Sequence, residues 1–379
     1  MVRFLYPIIK LFLIPGFLLT FFFACNKDKG ADHFIISGKF EDYGGTEVSL
    51  MRQTGLDWEV VDKTTLDKNG KFSFEGQLSL PEFVYLVTGE EKGFVRFFLE
   101  NSDISISVPK GSHLNDAQIT GSYTHDKFAG YNQIDKSEFS DSLYAIYREW
   151  NEANAGGDNQ SALDLDSLRE EVNNKRLGYQ VQFIRENFDN ILGPFVLNIV
   201  FQTMDTAQLE PLIELFDPSI EESIYTMQVK QKLAALRATQ LGKPFINISL
   251  PDSTGRIIQL SDLVSRGNFL VVDFWAVWSG GSLLEIEKKK ELYMNYYDRG
   301  LQLVSISFDN DILKWKKYIE ESQMPWLQII DSKGPRGKVA FDYLITGLPF
   351  KFILDPEGNI LAKVQSVDEL EEELVVIFE

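Results

Sequence analysis

Cysteine is nearly absent. The 379-residue chain has one, Cys25, and so can form no internal disulfide. Histidine is almost as scarce: His33, His113 and His125 are the only three, and none follows position 125. One thiol and three scattered imidazoles make a poor ligand set, so no metal site and no bound cofactor is expected. Positive charge is also short. The net charge is -19, and such a surface repels phosphate backbones, which argues against nucleic-acid binding. Aromatic residues are plentiful, with 29 Phe and six Trp, enough for several apolar cores.

The one long apolar run is at the start. Residues 1–24 place Arg3 and Lys10 around a hydrophobic stretch, and no acid appears before Asp28. This is the pattern of a secretory signal. A membrane-spanning anchor is the alternative, because the stretch is nearly long enough to cross a bilayer; Pro15-Gly16 argues against it. The stretch ends in Phe22-Phe23-Ala24-Cys25, which resembles a bacterial lipobox with bulkier residues than usual before the Ala. That resemblance implies cleavage before Cys25 and a lipid on its thiol. The expected location is the bacterial cell envelope, lipid-anchored and facing the periplasm.

Residues 33–124 carry short β-branched and aromatic runs separated by Gly44-Gly45 and Asn69-Gly70 turns. In Lys71–Glu75 the apolar residues Phe72 and Phe74 alternate with polar ones. The expectation is an all-β, antiparallel sandwich or small barrel. Residues 125–241 lose the strand signals. A helix broken at Asn154–Asn159, a second opening near Leu165, and the apolar face Leu209, Leu212, Ile213, Phe216 mark a helical linker region, read as a spacer packed on its neighbours. Residues 242–379 alternate strand and helix. The run Phe269–Phe274 reads as a buried central strand, followed by one helix from Leu283 to about Arg299. The order β-α-β-α-β-β-β-α predicts an α/β domain with a mixed sheet covered on both faces.

The segment Val272-Asp273-Phe274-Trp275-Ala276-Val277-Trp278-Ser279-Gly280-Gly281-Ser282 resembles the active-site segment of thioredoxins, Trp-Cys-Gly-x-Cys at a helix start, with Ser279 and Ser282 on the cysteine positions. Thr346-Gly347-Leu348-Pro349-Phe350 resembles the cis-proline loop, and Phe352–Gly358 the hairpin after it. Gly242-Lys243-Pro244-Phe245 and Asp252-Ser253-Thr254-Gly255 are similar to the opening of membrane-anchored thioredoxins of the TlpA/ResA type, related to the AhpC/TSA family. The front half resembles a β-rich domain of unknown function that precedes such domains in lipoproteins. The resemblance implies a thioredoxin-like fold and a thiol-disulfide oxidoreductase activity.

Serine cannot perform that chemistry. The reaction needs a thiolate of depressed pKa and a second sulfur to resolve the mixed disulfide, and Cys25 is claimed by the lipid. A hydrolytic triad around Ser279, Ser282 and Asp273 lacks a histidine anywhere downstream of His125. The bland reading makes Ser279 a helix N-cap. Asp273 matches the family's buried acid and is expected to hydrogen-bond Ser282 or water. Glu285 matches an acid near the site and could serve only the helix dipole. Lys288-Lys289-Lys290 reads as a solvated face. Trp275, Trp278 and Pro349 would form an apolar rim. With Gly280, Gly281 and Leu348, that rim implies a groove for an extended segment of a periplasmic or membrane protein. Two functions follow: a non-catalytic binding or scaffold protein, or an oxidoreductase by descent that acts only with a partner's thiols.

Feeding cells an alkyne fatty acid tests the anchor. The wild-type chain should take up label and Cys25→Ser should take up none; label that survives the substitution excludes Cys25 as the acceptor.

Overall fold

The computed structural model describes residues 32–54, 57–89, 93–264 and 267–378. The signal reading of 1–24 and the lipid site Cys25 lie outside the described residues. Among the described residues no helix is long and apolar enough to cross a membrane.

Eight strands come first: β1 (Phe34–Phe40), β2 (Glu47–Thr54), β3 (Asp57–Thr65), β4 (Lys71–Gly76), β5 (Glu82–Thr88), β6 (Phe94–Leu99), β7 (Asp103–Val108) and β8 (Gln118–Thr120). They form two four-stranded sheets, β4-β1-β7-β8 and β3-β2-β5-β6. Alternation supplies the core between them: Phe72 and Phe74 point in while Lys71, Ser73 and Glu75 face water. Ile36, Val48, Leu50, Leu86, Phe97 and Ile104 meet them from the other strands. The arrangement is a sandwich, but not a wholly antiparallel one. β1 and β7 pair in parallel, because the chain runs through the second sheet before β7 returns beside β1. The Asn69-Gly70 turn needs its glycine: φ is +76°, and a Cβ there would lie 2.0 Å from the Phe40 carbonyl oxygen.

Six helices follow: α1 (Tyr123–Asp135), α2 (Asp141–Gly156), α3 (Asn159–Glu186), α4 (Leu192–Val200), α5 (Thr206–Glu214) and α6 (Ile224–Ala238). Buried Ser122 starts α1. Its hydroxyl accepts from the His125 amide and donates to the Phe98 carbonyl at 2.9 Å, which ties the first helix to β6. α3 begins at Asn159 rather than near Leu165, because Asp158 caps it immediately after Gly157 turns the chain at φ +73°. Leu209, Leu212, Ile213 and Phe216 are all buried, as their spacing predicts. They join Ile184, Val196, Leu197 and Val229 in a core belonging to the helices themselves, so this region is more than a spacer. Phe98, though on β6, is part of that core.

The last third has a short hairpin, β9 (Ser249–Pro251) and β10 (Ile257–Gln259), whose three-residue strands are too brief to show periodicity. A five-stranded sheet follows: β11 (Phe269–Trp275), β12 (Leu301–Ser307), β13 (Leu327–Ile330), β14 (Phe350–Leu354) and β15 (Ile360–Val364). Its order is β13-β12-β11-β14-β15. β11, β12 and β13 run parallel, while β14 pairs antiparallel with both β11 and β15. Helices α7 (Gly280–Leu284), α8 (Ile286–Tyr296), α9 (Ile312–Ser322), α10 (Lys338–Asp342) and α11 (Val367–Phe378) complete it. β11 is buried on both sides: Val272 and Phe274 enter one apolar cluster, Val271 a second with Tyr293, Leu370 and Leu374. The single helix expected from Leu283 is instead two, interrupted at Glu285.

Phe98 packs on Phe83, Phe128 and Phe195 at ring-centre distances of 5.0, 5.3 and 4.9 Å. Phe98→Ala is expected to cost about 3–5 kcal/mol in urea unfolding; a loss below about 1 kcal/mol would show that the aromatic contact does not join sandwich and helices.

Candidate functional site

The site lies where β11 gives way to α7. Ser279 adopts extended geometry and caps the helix. The Ser282 hydroxyl donates to Ser279 Oγ at 2.9 Å, and the Ser282 amide points at the same oxygen at 3.4 Å. Ser279 in turn donates to the Leu348 carbonyl at 3.4 Å. Both serines are buried. The Leu348-Pro349 peptide is cis. Pro349 sits against Gly281, where an added Cβ would lie 3.2 Å from the proline Cδ, so the glycine permits the close approach of loop and helix. Trp278 is 55% exposed and donates from Nε1 to the Phe308 carbonyl at 3.4 Å. Trp275 is not part of the rim. It is fully buried with Trp315 and Ile286, because it is the last residue of β11 and points beneath the sheet end. Asp309 fastens the loop from below, accepting from the Val277 amide at 2.9 Å and from Ser307 Oγ at 2.7 Å.

Beneath the serines lies a set of charges. Asp273 does not bond Ser282. Its Oδ2 accepts from Lys289 Nζ at 2.7 Å and from Ser305 Oγ at 2.7 Å, and Ser305 also accepts from Trp326 Nε1 at 2.8 Å. Lys289 is 1% exposed, which overturns the solvated reading for that residue. Its neighbours do face outward: Lys288 pairs with Asp368 and Glu371, Lys290 with Glu287. The helical period explains the difference, since Lys289 falls on the inward row of α8 with Ile286, Tyr293 and Tyr296. Glu285 is likewise more than a dipole partner. It is buried, accepts from Lys351 Nζ at 2.7 Å and from the Val367 amide at 2.9 Å, and so holds β14 and the start of α11 to the helix break. Lys351 is fully buried and stands opposite Asp273 in the β11–β14 register.

Two carboxylates and two ammonium groups therefore balance in the interior. Burial pushes the Asp273 carboxyl up, but the nearby Lys289 and Lys351 charges and the hydrogen bonds from Lys289 and Ser305 outweigh it and hold the group below its ordinary 3.8. Sequence reasoning missed Lys289, Lys351 and Ser305. The inward spacing of Lys289 from Ile286 was the one signal available for it; Lys351 and Ser305 stand out only once the strands are registered.

The AhpC/TSA family matches residues 241–363, and a domain of unknown function, DUF4369, matches residues 34–128. The last third of the chain is an AhpC/TSA thioredoxin-like domain. This AhpC/TSA domain is 29% identical over 135 residues to the thiol-disulfide oxidoreductase ResA of Bacillus cereus, covering 35% of this chain and 75% of that one. The Bacillus subtilis ResA is 25% identical over 118 residues, covering 31% and 63%. Among solved structures, a thiol-disulfide oxidoreductase from Bacteroides fragilis aligns at 28% identity over 36% of this chain and 99% of its own, TM-score 0.33. A thiol:disulfide interchange protein from a Bacteroides species aligns at 28% identity over 37% and 91%, TM-score 0.34.

Removing one member of a buried pair strands the other, so Lys289→Met is expected to cost about 3–5 kcal/mol, and Asp273→Leu/Lys289→Met to recover most of it. Equal losses in single and double variants would show that the pair is not the source. Because the Asp273 carboxyl ionises at lower pH in the folded than in the unfolded chain, its contribution is complete above about pH 4 and vanishes as pH falls through the folded value. Asp273→Asn should flatten that acid limb of the unfolding profile; an unchanged limb would mean that other carboxylates set it.

Proposed function

We propose that this chain is a lipid-anchored, periplasm-facing protein whose AhpC/TSA domain binds an extended protein or peptide segment and performs no disulfide exchange. The observation that carries the reading is the serine pair, whose two hydroxyls bond each other where the family reaction needs a thiolate and a resolving thiol. A serine hydroxyl is far less acidic than a thiol and forms no stable equivalent of the mixed disulfide. The buried acid beneath it is committed to Lys289, so it is not a free proton carrier. The groove needs no sulfur. Trp278 and Leu284 leave apolar surface exposed on the α7 side, and Ile312 and Leu313 do so at the start of α9, the loops that precede the two helices being joined by the bond from the Val277 amide to Asp309. Strand-like pairing beside the Leu348-Pro349 loop, with apolar side chains seated on Trp278, is a recognised way of holding an extended peptide. The anchor itself rests on the lipobox-like residues ending at Cys25.

Insulin-disulfide reduction with dithiothreitol tests the chemistry. The expected rate equals the control without protein, and turnover above it overturns the reading. Ser279→Cys/Ser282→Cys is expected to close an intramolecular disulfide and to raise turnover above the control, because the two hydroxyl oxygens already lie 2.9 Å apart. Crosslinking from the membrane-tethered chain tests the groove. Trp278→Ala should lower partner capture about tenfold, as loss of an aromatic anchor that a partner covers does; capture unaffected by it would place the partner elsewhere.

A further inference from the structure

A second surface, on the sandwich rather than the AhpC/TSA domain, combines cavity, charge and apolar lining. The outward face of β5 and β6 carries Phe83, Tyr85, Phe94 and Arg96, with Tyr85 and Arg96 directly opposite in register. α1 lies across one end of this face, its Phe128 against Phe83 at 6.0 Å between ring centres. Between sheet and helix is a hollow of about 420 Å³ lined by Phe83, Arg96, His125, Phe128, Ala129 and Lys136 among others. A second hollow, about 250 Å³, is walled by Phe94, Leu114, Asn115 and Ile119 and shares Arg96 and His125 with the first. Asn115 Oδ1 accepts from the Phe94 amide at 3.0 Å and so holds that wall in place.

The charge here runs against the rest of the molecule. The chain has 56 acidic and 37 basic residues, yet among the described residues neither hollow is lined by a carboxylate, and together they present the cations Arg96 and Lys136. Asp126, next to His125 in the chain, lines neither. Arg52, Arg176 and Arg237 each have an acidic partner, whereas Arg96 and Lys136 have none among the described residues. Nδ1 of His125 is buried and has no hydrogen-bond partner among the described residues. Lys136 opens a π-helical turn, Lys136–Ser140, of a kind that recurs at functional sites. Arg176 braces that turn through Asp135 at 2.7 and 2.6 Å.

We propose that these adjoining hollows bind a small organic anion, a carboxylate on an apolar or aromatic body, with the carboxylate against Arg96 and the body on Phe83 and Phe128. A guanidinium presents two parallel donors that match a carboxylate. A few hundred Å³ with an apolar floor and a few convergent polar groups is the usual scale of a small-ligand site. Buried aromatic surface supplies affinity, and the unpaired cations supply the preference for an anion.

Isothermal titration of the full chain with phenylpropanoate, phenylpropanol and phenylpropylamine tests this. The carboxylate should bind saturably with one site, and the alcohol and amine at least about tenfold more weakly. Arg96→Gln should weaken the carboxylate about tenfold or more, and Ala129→Trp, which fills the larger hollow from an exposed position, should abolish binding. Both variants should keep the wild-type thermal unfolding curve. No saturable binding, equal affinity for acid and alcohol, or wild-type affinity in Arg96→Gln overturns the proposal.

Discussion

The AhpC/TSA domain is organised around charges that would not survive in its interior singly. Asp273 on β11 is met by Lys289 from α8, and Glu285 at the helix break is met by Lys351 from β14, with all four side chains withdrawn from water. Burying an unpaired ion costs several kcal/mol, so each partner fixes where the other's element must sit. Ser305 and Trp326 carry the contacts across to β12 and the residue before β13, and the Val367 amide carries them to α11. Three central strands and two helices are thus registered by one compact set of polar contacts inside an otherwise apolar domain. A hydrophobic core alone specifies their positions less tightly, since apolar side chains tolerate small shifts that an ion pair does not.

That arrangement also bears on the serines above it. In a thiol enzyme the acid at the Asp273 position serves by exchanging a proton with sulfur. Here the helix start carries serines, the acid is paired with a lysine, and the hydroxyls are turned toward each other and the Leu348 carbonyl. The loss of sulfur and the occupation of the acid are consistent with one another. The Leu348-Pro349 loop, Gly281 and Trp278 are placed by backbone approach and apolar area rather than by sulfur, so their arrangement is compatible with serine at both positions.

The front of the chain obeys a different constraint. Sandwich and helices each have a core, and the joint between them is aromatic: Phe83 and Phe98 from the sheet meet Phe128 and Phe195 from the helices. Tilted and edge-to-face packing of rings is directional enough to set an orientation without charge. The hollow beside Arg96 lies at the margin of this joint, where the sheet face runs out from under α1.

Much was determined by residue order alone. Alternation marked Phe72 and Phe74, helical spacing marked Leu209 through Phe216, and the absence of cysteine beyond Cys25 leaves residues 242–379 without a thiol. These are local or compositional properties, carried by neighbours along the chain. The parallel pairing of β1 with β7, the burial of Trp275, and the partners of Asp273, Glu285, Lys289 and Lys351 were decided only in the tertiary structure. A lysine within a charged run reads as solvated until the helix is docked, and a lysine in a short strand has no visible counter-ion until the break between α7 and α8 packs against it and brings a carboxylate 66 residues away within hydrogen-bond distance. Burial and ion pairing depend on contacts distant in sequence, and only packing supplies them.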